Sequence, residues 1–270
     1  MQRPMTTTRM TSFYVDFRLG GYAKTHALSL IWDVSRRFRV RGMTRRRPVP
    51  HVTLYPPSRT RNIRDVINVV ERVGRKYTLV PYGIRGFGRF TDSRVIYLDI
   101  EASSTLKQLR SELAQELNMV VQGPPARTDL DFPFHATIAF NDLGSKFEPI
   151  WDYVRTRQQP DIDQYLLRIT VLGERSRIVC EYDLVLKQQL DRRQALSRYW
   201  WTKTIAATGR LRGGRYDGGR NVWRPLPGET RWRPLPTETR GSRATAKQNI
   251  SRHPFIEKWV FNIKRALGLK

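Results

Sequence analysis

HVTLYPP, the stretch from His51 to Pro57, opens with a histidine, an apolar residue, a threonine and a second apolar residue. The same pattern returns in HATIAF, from His135 to Phe140. The chain has only four histidines, and the chance that two of them share this pattern is on the order of one in a thousand. A repetition this improbable requires a structural or chemical explanation.

Both motifs are predicted to lie on β-strands. On a strand the side chains at positions i and i+2 point to the same face, so His51 and Thr53 project together while the apolar residues beside them enter a core. The same holds for His135 and Thr137. If two lobes related by an approximate two-fold face each other, their motifs bring two imidazoles and two hydroxyls to one surface.

Such a quartet suits phosphodiester chemistry without a metal. One neutral imidazole takes a proton from the attacking water or hydroxyl, and the other, protonated, donates to the leaving oxygen. Threonine hydroxyls hydrogen-bond the non-bridging phosphate oxygens, where negative charge builds in the transition state. We therefore expect His51 and His135 to be catalytic and Thr53 and Thr137 to bind phosphate.

The order of predicted elements indicates an α+β fold. Up to about residue 190 the chain runs twice through strand, helix, histidine strand and helix. The runs of adjacent strands at 78–101 and 165–186 favour antiparallel pairing. We predict two similar lobes whose antiparallel sheets line a central cleft, with helices outside.

Two local features are also predicted. The first helix is expected to begin at an N-cap, Thr25, and His26 within it lacks a threonine partner and is interpreted as structural. The stretch YLLRITVLGE, residues 165–174, is expected to form one continuous strand.

The character of the sequence changes after residue 190. Residues 1–190 are predicted to form the bilobal domain, and 191–252 a basic, Gly/Arg/Pro-rich extension that is largely disordered. This extension contains the tandem repeat WRPLPGETR and WRPLPTETR, at 223–231 and 232–240. Apolar residues return at helical spacing in 253–270, which predicts a basic amphipathic helix.

The net charge of +25 is unevenly distributed, with +11 in residues 1–190 and +14 in residues 191–270. A field of this sign attracts polyanions, and we expect the C-terminal segment to contact nucleic acid. An anionic membrane surface is a less favoured partner for the helix at 253–270.

No apolar signal segment and no run of eighteen apolar residues is present, which argues against secretion and membrane spanning. The single cysteine, Cys180, excludes an intrachain disulfide. We therefore expect a cytoplasmic protein, and a monomer.

The pair of motifs resembles the signature of the two-histidine (2H) phosphoesterase superfamily, in particular its 2′,5′-RNA ligase-like and RNA 2′,3′-cyclic phosphodiesterase branch. The resemblance covers about residues 12–190. It implies a bilobal fold with a central cleft and catalytic roles for the motif histidines and threonines. Family members often carry a basic residue soon after the second motif, where this chain has Phe140, Asn141 and Asp142, and this difference leaves the exact substrate open.

Further contacts with substrate are predicted near the first motif. Tyr55 shares the predicted strand face of His51 and could stack on a base or simply fill space. The run Arg45, Arg46 and Arg47 could attract phosphate or form a solvated loop.

We expect no metal and no cofactor. A metal site made of His51, His135 and Asp131 is disfavoured, because a strand supplies no second clustered pair of ligands. The predicted function is a metal-independent phosphodiesterase that hydrolyses a 2′,3′-cyclic phosphate on RNA or nucleotide ends, with 2′,5′ ligation as a related reaction. The alternative is a non-catalytic module that binds an RNA end or nucleotide, with the basic tail carrying the function.

Overall fold

The computed structural model describes residues 10–122 and 133–212. The tandem repeat and the amphipathic helix predicted at 253–270 lie outside these residues. Within the described part the chain forms strands and helices in the following order: β1 (Thr11–Arg18), α1 (Gly21–Phe38), β2 (His51–Thr60), α2 (Ile63–Gly74), β3 (Val80–Phe90), β4 (Val95–Ala102), α3 (Ser104–Asn118), β5 (His135–Ala139), α4 (Phe147–Arg155), β6 (Ile162–Leu166), β7 (Arg168–Leu172), β8 (Ile178–Asp183), β9 (Gln188–Leu190), α5 (Arg192–Ala195) and α6 (Arg198–Leu211).

The described strands form two sheets in which every pairing is antiparallel. The first sheet has the order β2-β1-β7-β8-β9 and the second the order β5-β4-β3-β6. Each motif strand therefore lies at the edge of its sheet. β2 lies beside β1, from which α1 separates it in the chain, and β5 lies beside β4, from which α3 separates it. This arrangement confirms the predicted α+β class and its two similar lobes.

The two lobes share one hydrophobic core. Helix α2 packs on β7 and β8 of the first sheet, α3 packs on β3 and β4 of the second, and the two helices contact each other. Valines at helical spacing along α2, including Val66, Val70 and Val73, are fully buried in this core. Among the described residues, no helix is both long enough and apolar enough to span a membrane.

Two sequence predictions need correction. Helix α1 begins at Gly21, four residues before Thr25, because Gly20 supplies the extended N-cap. The hydroxyl of Thr25 donates to the carbonyl of Gly21 inside the helix, at 3.3 Å.

The stretch 165–174 belongs to two strands rather than one. β6 ends at Leu166 and pairs with β3, while β7 begins at Arg168 and pairs with β1. The chain thus passes from the second sheet to the first at Leu167, which ties the two lobes together.

Ordered structure also continues past Leu190, where the sequence analysis placed the end of the domain. Helices α5 and α6 both lie within 191–252, the range predicted to form the extension. The buried face of α6 carries Thr204, whose hydroxyl accepts from Arg168 at 2.5 Å and donates to Asp183. Polar residues on the buried face explain why the pattern did not indicate a packed helix.

The contact between α6 and the first sheet can be tested with Thr204→Val. Valine keeps the shape of threonine but leaves buried Arg168 and Asp183 without a shared hydrogen-bond partner, so the free energy of unfolding should fall by about 1–3 kcal/mol. Urea unfolding measures the loss. Thr202→Val, at an exposed position of the same helix, is the control, and equal stability of the two variants would contradict a structural role for α6.

Candidate active site

The first motif lies at the start of β2, and alternation along the strand separates its two faces. Val52 and Leu54 are buried, with 0% and 1% exposure. His51 and Thr53 are partly buried on the opposite face. The predicted division between a core face and an opposite face that carries His51 and Thr53 is therefore confirmed for this strand.

The second motif, on β5, shows the same division. The apolar residues on either side of Thr137 are buried, while Thr137 itself is partly exposed. His135 is only 4% exposed. The rings of Phe90 and Tyr97 pack edge-on against its imidazole, with centroids 5.1 and 5.2 Å away.

Both imidazoles make the same local hydrogen bond. Nδ1 of His51 lies 2.8 Å from the carbonyl oxygen of Val49, and Nδ1 of His135 lies 3.0 Å from that of Pro133. Because a carbonyl oxygen only accepts, Nδ1 carries the proton in each ring. Nε2 of each ring is therefore the nitrogen that can exchange a proton with a substrate.

The two motif strands lie next to each other, since β2 and β5 are in contact. Burial lowers the pKa of His135 to about 4, the hydrogen bond to Pro133 acts in the opposite direction, and the nearby His51 lowers the pKa further. His135 is consequently neutral near pH 7.

Two charged residues that the sequence analysis missed lie beside the first motif. On β1, Asp16 pairs with Thr53 and Arg18 pairs with His51, and directly opposed residues of an antiparallel pair share a face. Burial raises the pKa of Asp16 to about 6, an effect partly offset by His51 and Arg18. The alternation of Asp16 and Arg18 with apolar residues in SFYVDFRL was the signal that could have identified them.

Arg18 is held in place by groups from distant parts of the chain. Its guanidinium pairs with the fully buried carboxylate of Glu181 on β8 and donates to the carbonyl oxygen of Ala195 at 3.3 Å. Lys24 and Arg47 are close to this site, because the charges of Arg18 and Arg47 contribute to a lowered pKa of Lys24, for which burial is the first cause. The first motif is thus bordered by charges of both signs, with Arg18 beside the carboxyl groups of Asp16 and Glu181.

The prediction that Tyr55 shares the strand face of His51 is wrong, and of its two possible roles the structure supports filling space. Tyr55 is fully buried, donates a hydrogen bond to Asn118 at 2.9 Å and stacks on Phe13. The register of β1 with β2 shifts between the pairs Asp16–Thr53 and Val15–Tyr55. This β-bulge turns Tyr55 to the core face of the sheet instead of the face of the motif.

The arginines at 45–47 are exposed in the loop before β2, so their predicted contact with phosphate stays a prediction. Asp142 follows the second motif and anchors this loop. Its carboxylate accepts from the backbone N–H groups of Arg41 and Gly42, at 2.6 and 2.8 Å. A Cβ on Gly42 would lie 1.9 Å from the carbonyl oxygen of Phe140, so only glycine fits this contact.

No group of three or more potential metal ligands of the histidine, cysteine, aspartate or glutamate type is present among residues 10–122 and 133–212. Asp131, the third ligand considered for a metal site, lies outside this part of the chain.

Two edge strands that each present a histidine and, two residues later, a threonine define a site of the two-histidine phosphoesterase type. A family model described as the 2′-5′ RNA ligase superfamily matches residues 29–175, more than half of the chain, and this range includes both motifs. The chain belongs to this superfamily. The predicted resemblance is therefore confirmed.

Solved structures with a similar fold include Escherichia coli LigT complexed with NADP+, which is 12% identical over 61% of this chain and 88% of that chain, with a TM-score of 0.40. Kluyveromyces marxianus Usb1 is also 12% identical, over 62% of this chain and 95% of that chain, with a TM-score of 0.38. No curated protein sequence matches the chain significantly.

Asp16 and His135 make opposite contributions to the pH dependence of stability. Burial raises the pKa of Asp16 from 3.8 to about 6, so this residue stabilises the native state less as pH rises through that range. The pKa of His135 is lowered from 6.5 to about 4, so its contribution increases as pH rises between those values. Asp16→Asn should remove the first effect, and its free energy of unfolding should rise more steeply from pH 4 to 6.5 than that of the wild type.

Urea unfolding at a series of pH values measures both curves. His135→Gln is the complementary variant, because it removes the rising contribution and leaves that of Asp16. Parallel curves for the wild type and both variants would show that neither side chain is perturbed as described.

Proposed function

We propose that this protein is a metal-independent phosphodiesterase that hydrolyses 2′,3′-cyclic phosphates at RNA or nucleotide ends. The observation that carries this proposal is the matched pair of imidazoles on neighbouring strands, each bonded through Nδ1 to the backbone carbonyl two residues earlier. Membership in the 2′-5′ RNA ligase superfamily, whose matched range includes both motifs, supports a phosphodiester substrate.

The environments of the two histidines suggest which is the base. His135 is neutral near pH 7 because burial lowers its pKa to about 4, so its Nε2 can accept a proton from water. His51 lies on the partly exposed face of β2 beside Asp16 and Arg18 of β1, and the reaction needs a second group to protonate the leaving oxygen. We assign His135 as the general base and His51 as the general acid.

The proposed reaction needs only these groups and one water molecule. The water oxygen forms a bond to phosphorus while its proton passes to His135. The bond between phosphorus and one ribose oxygen breaks, and His51 donates its proton to that oxygen. Thr53 and Thr137 donate hydrogen bonds to the non-bridging oxygens as their negative charge increases. The product is a phosphomonoester beside a free ribose hydroxyl.

The catalytic assignment is tested with His51→Gln and His135→Gln. Each variant removes one proton-transfer group, which typically contributes 10²–10⁴-fold to the rate, so turnover of a short RNA with a 2′,3′-cyclic end should fall by about that factor. Thr53→Val and Thr137→Val should be milder, at roughly 10- to 100-fold, because each removes one hydrogen bond to a charged group. Chromatography of the phosphomonoester product measures the rates, with and without a chelator.

His26→Gln is the matched control, because His26 lies on α1 outside the quartet, and it should retain activity. Full activity of either motif variant would contradict the site assignment, and strong inhibition by the chelator would contradict metal independence. Tight RNA binding without turnover by the wild type would favour the non-catalytic module. If the protein cleaved a 2′,5′-linked dinucleotide but not a cyclic phosphate, the substrate would be a 2′,5′ linkage instead.

We also propose that the basic C-terminal segment contributes to RNA affinity. Residues 191–270 carry a net charge of +14, and each neutralised phosphate adds to the salt dependence of binding. A chain that ends at Arg212 keeps α6 and should hydrolyse a cyclic dinucleotide, but it should bind a 20-nucleotide RNA more weakly and with a shallower salt dependence. Fluorescence anisotropy across a salt series measures this. Identical salt slopes for the two chains would show that the segment has another role.

A further inference from the structure

Helix α6 presents an exposed tyrosine ring, a partly buried tryptophan ring and a lysine side by side. Tyr199 is 61% exposed, and its ring lies edge-on to that of Trp200, with centroids 5.7 Å apart. The ammonium group of Lys203 lies 4.6 Å from the Tyr199 ring and 4.9 Å from the Trp200 ring. Exposed rings beside a cation are the features with which proteins bind unpaired bases and their phosphates.

The charge of this part of the chain favours an anionic ligand. Residues 192–212 contain six arginines and lysines and no aspartate or glutamate. A surface that combines this charge with aromatic rings complements single-stranded nucleic acid, which offers both phosphates and flat bases.

Two contacts fix α6 beside the turn between β1 and α1. Arg18, the last residue of β1, donates to the carbonyl oxygen of Ala195, three residues before the start of α6. The ring of Trp201 packs against Gly20 so closely that a Cβ at this glycine would lie 3.1 Å from it.

The same turn adjoins the first motif. Arg18 pairs with His51 across β1 and β2. The next residue, Leu19, donates its N–H at 2.9 Å to the carbonyl oxygen of Pro50, immediately before His51. The first turn of α6 therefore lies, through Trp201, beside the turn that adjoins the first motif.

The opposite face of α6 is anchored in the domain, which holds the exposed ring of Tyr199 and the partly buried ring of Trp200 in place. Thr204 and Thr208 are buried, at 0% and 1% exposure. The hydroxyl of Thr204 belongs to the buried cluster that also contains Arg168 and Asp183.

We propose that Tyr199, Trp200 and Lys203 form a stacking subsite for unpaired bases of an RNA strand whose terminal phosphate lies at the two histidines. The inference rests on the proposed function, since it takes RNA as the substrate. It goes further in assigning substrate length, because a cyclic mononucleotide has no second base to place on this surface. The subsite lies beyond residues 29–175, the range that matches the superfamily.

The test uses the full-length chain and a labelled ten-nucleotide single-stranded RNA with an ordinary 3′-hydroxyl, so that binding is measured without turnover. Tyr199→Ala should weaken binding about tenfold or more, because stacking of one base on an aromatic ring is lost. Tyr199→Phe keeps the ring and should retain wild-type affinity. Trp32→Ala is the matched control, because Trp32 is an exposed tryptophan, at 43%, on α1.

The salt dependence of binding separates the roles of ring and cation. Tyr199→Ala should leave the slope of log affinity against log salt unchanged, whereas Lys203→Gln should reduce it by about one. A fully base-paired RNA of the same length should be insensitive to Tyr199→Ala, because its bases cannot stack on the helix.

Kinetics provide a second measurement. For Tyr199→Ala, the KM for a cyclic-ended ten-nucleotide RNA should rise about tenfold more than the KM for a cyclic mononucleotide, since only the longer substrate reaches α6. Equal increases in both KM values would overturn the proposal, because they would place Tyr199 at the terminal nucleotide or in the structure of the site.

The outcomes distinguish this inference from the proposed function. Loss of RNA binding in Tyr199→Ala, together with absence of turnover by the wild type, would support the subsite and overturn the proposed reaction. Normal RNA binding by this variant, with turnover intact in the wild type, would overturn the subsite alone. Loss of binding to anionic vesicles without any loss of RNA affinity would also overturn it, because the surface would then serve a membrane.

Discussion

A buried cluster of charges in the first sheet connects the elements on which the active site depends. Arg168 lies between Asp183 and Glu181, and none of the three is more than 5% exposed. A buried charge without a partner is strongly destabilising, so β7 and β8 must keep the register that brings these side chains together. Thr204 of α6 and Arg18 of β1 join the cluster, which thereby links a C-terminal helix to the strand beside the first motif.

The two halves of the site share a local geometry and differ in environment. Each histidine bonds through Nδ1 to the carbonyl two residues earlier, which follows from the same extended backbone in both motifs. His135 is enclosed by aromatic rings, whereas His51 lies near Asp16 and Arg18. The proposed division into one base and one acid depends on this difference in surroundings.

The two motifs and helix α6 occupy different parts of the chain. Both motifs lie within residues 29–175, which match the superfamily. Helix α6 follows that range, yet the buried cluster makes it part of the same folded unit. An added element that is packed this firmly can extend the binding surface without altering the strands that hold the histidines.

The sequence by itself determined the two motifs, the strands that carry them, the faces of those strands and the α+β class, because strand and helix periodicities are local properties. Tertiary structure decided the rest. The bulge that buries Tyr55 arises from the pairing of β2 with β1, and the break at Leu167 depends on which sheet accepts each strand. Asp142 anchors a loop that lies about 100 residues earlier in the chain, a contact that only the tertiary structure creates. The burial of Thr204 required charged partners from β7 and β8, so no apolar pattern in α6 could predict it.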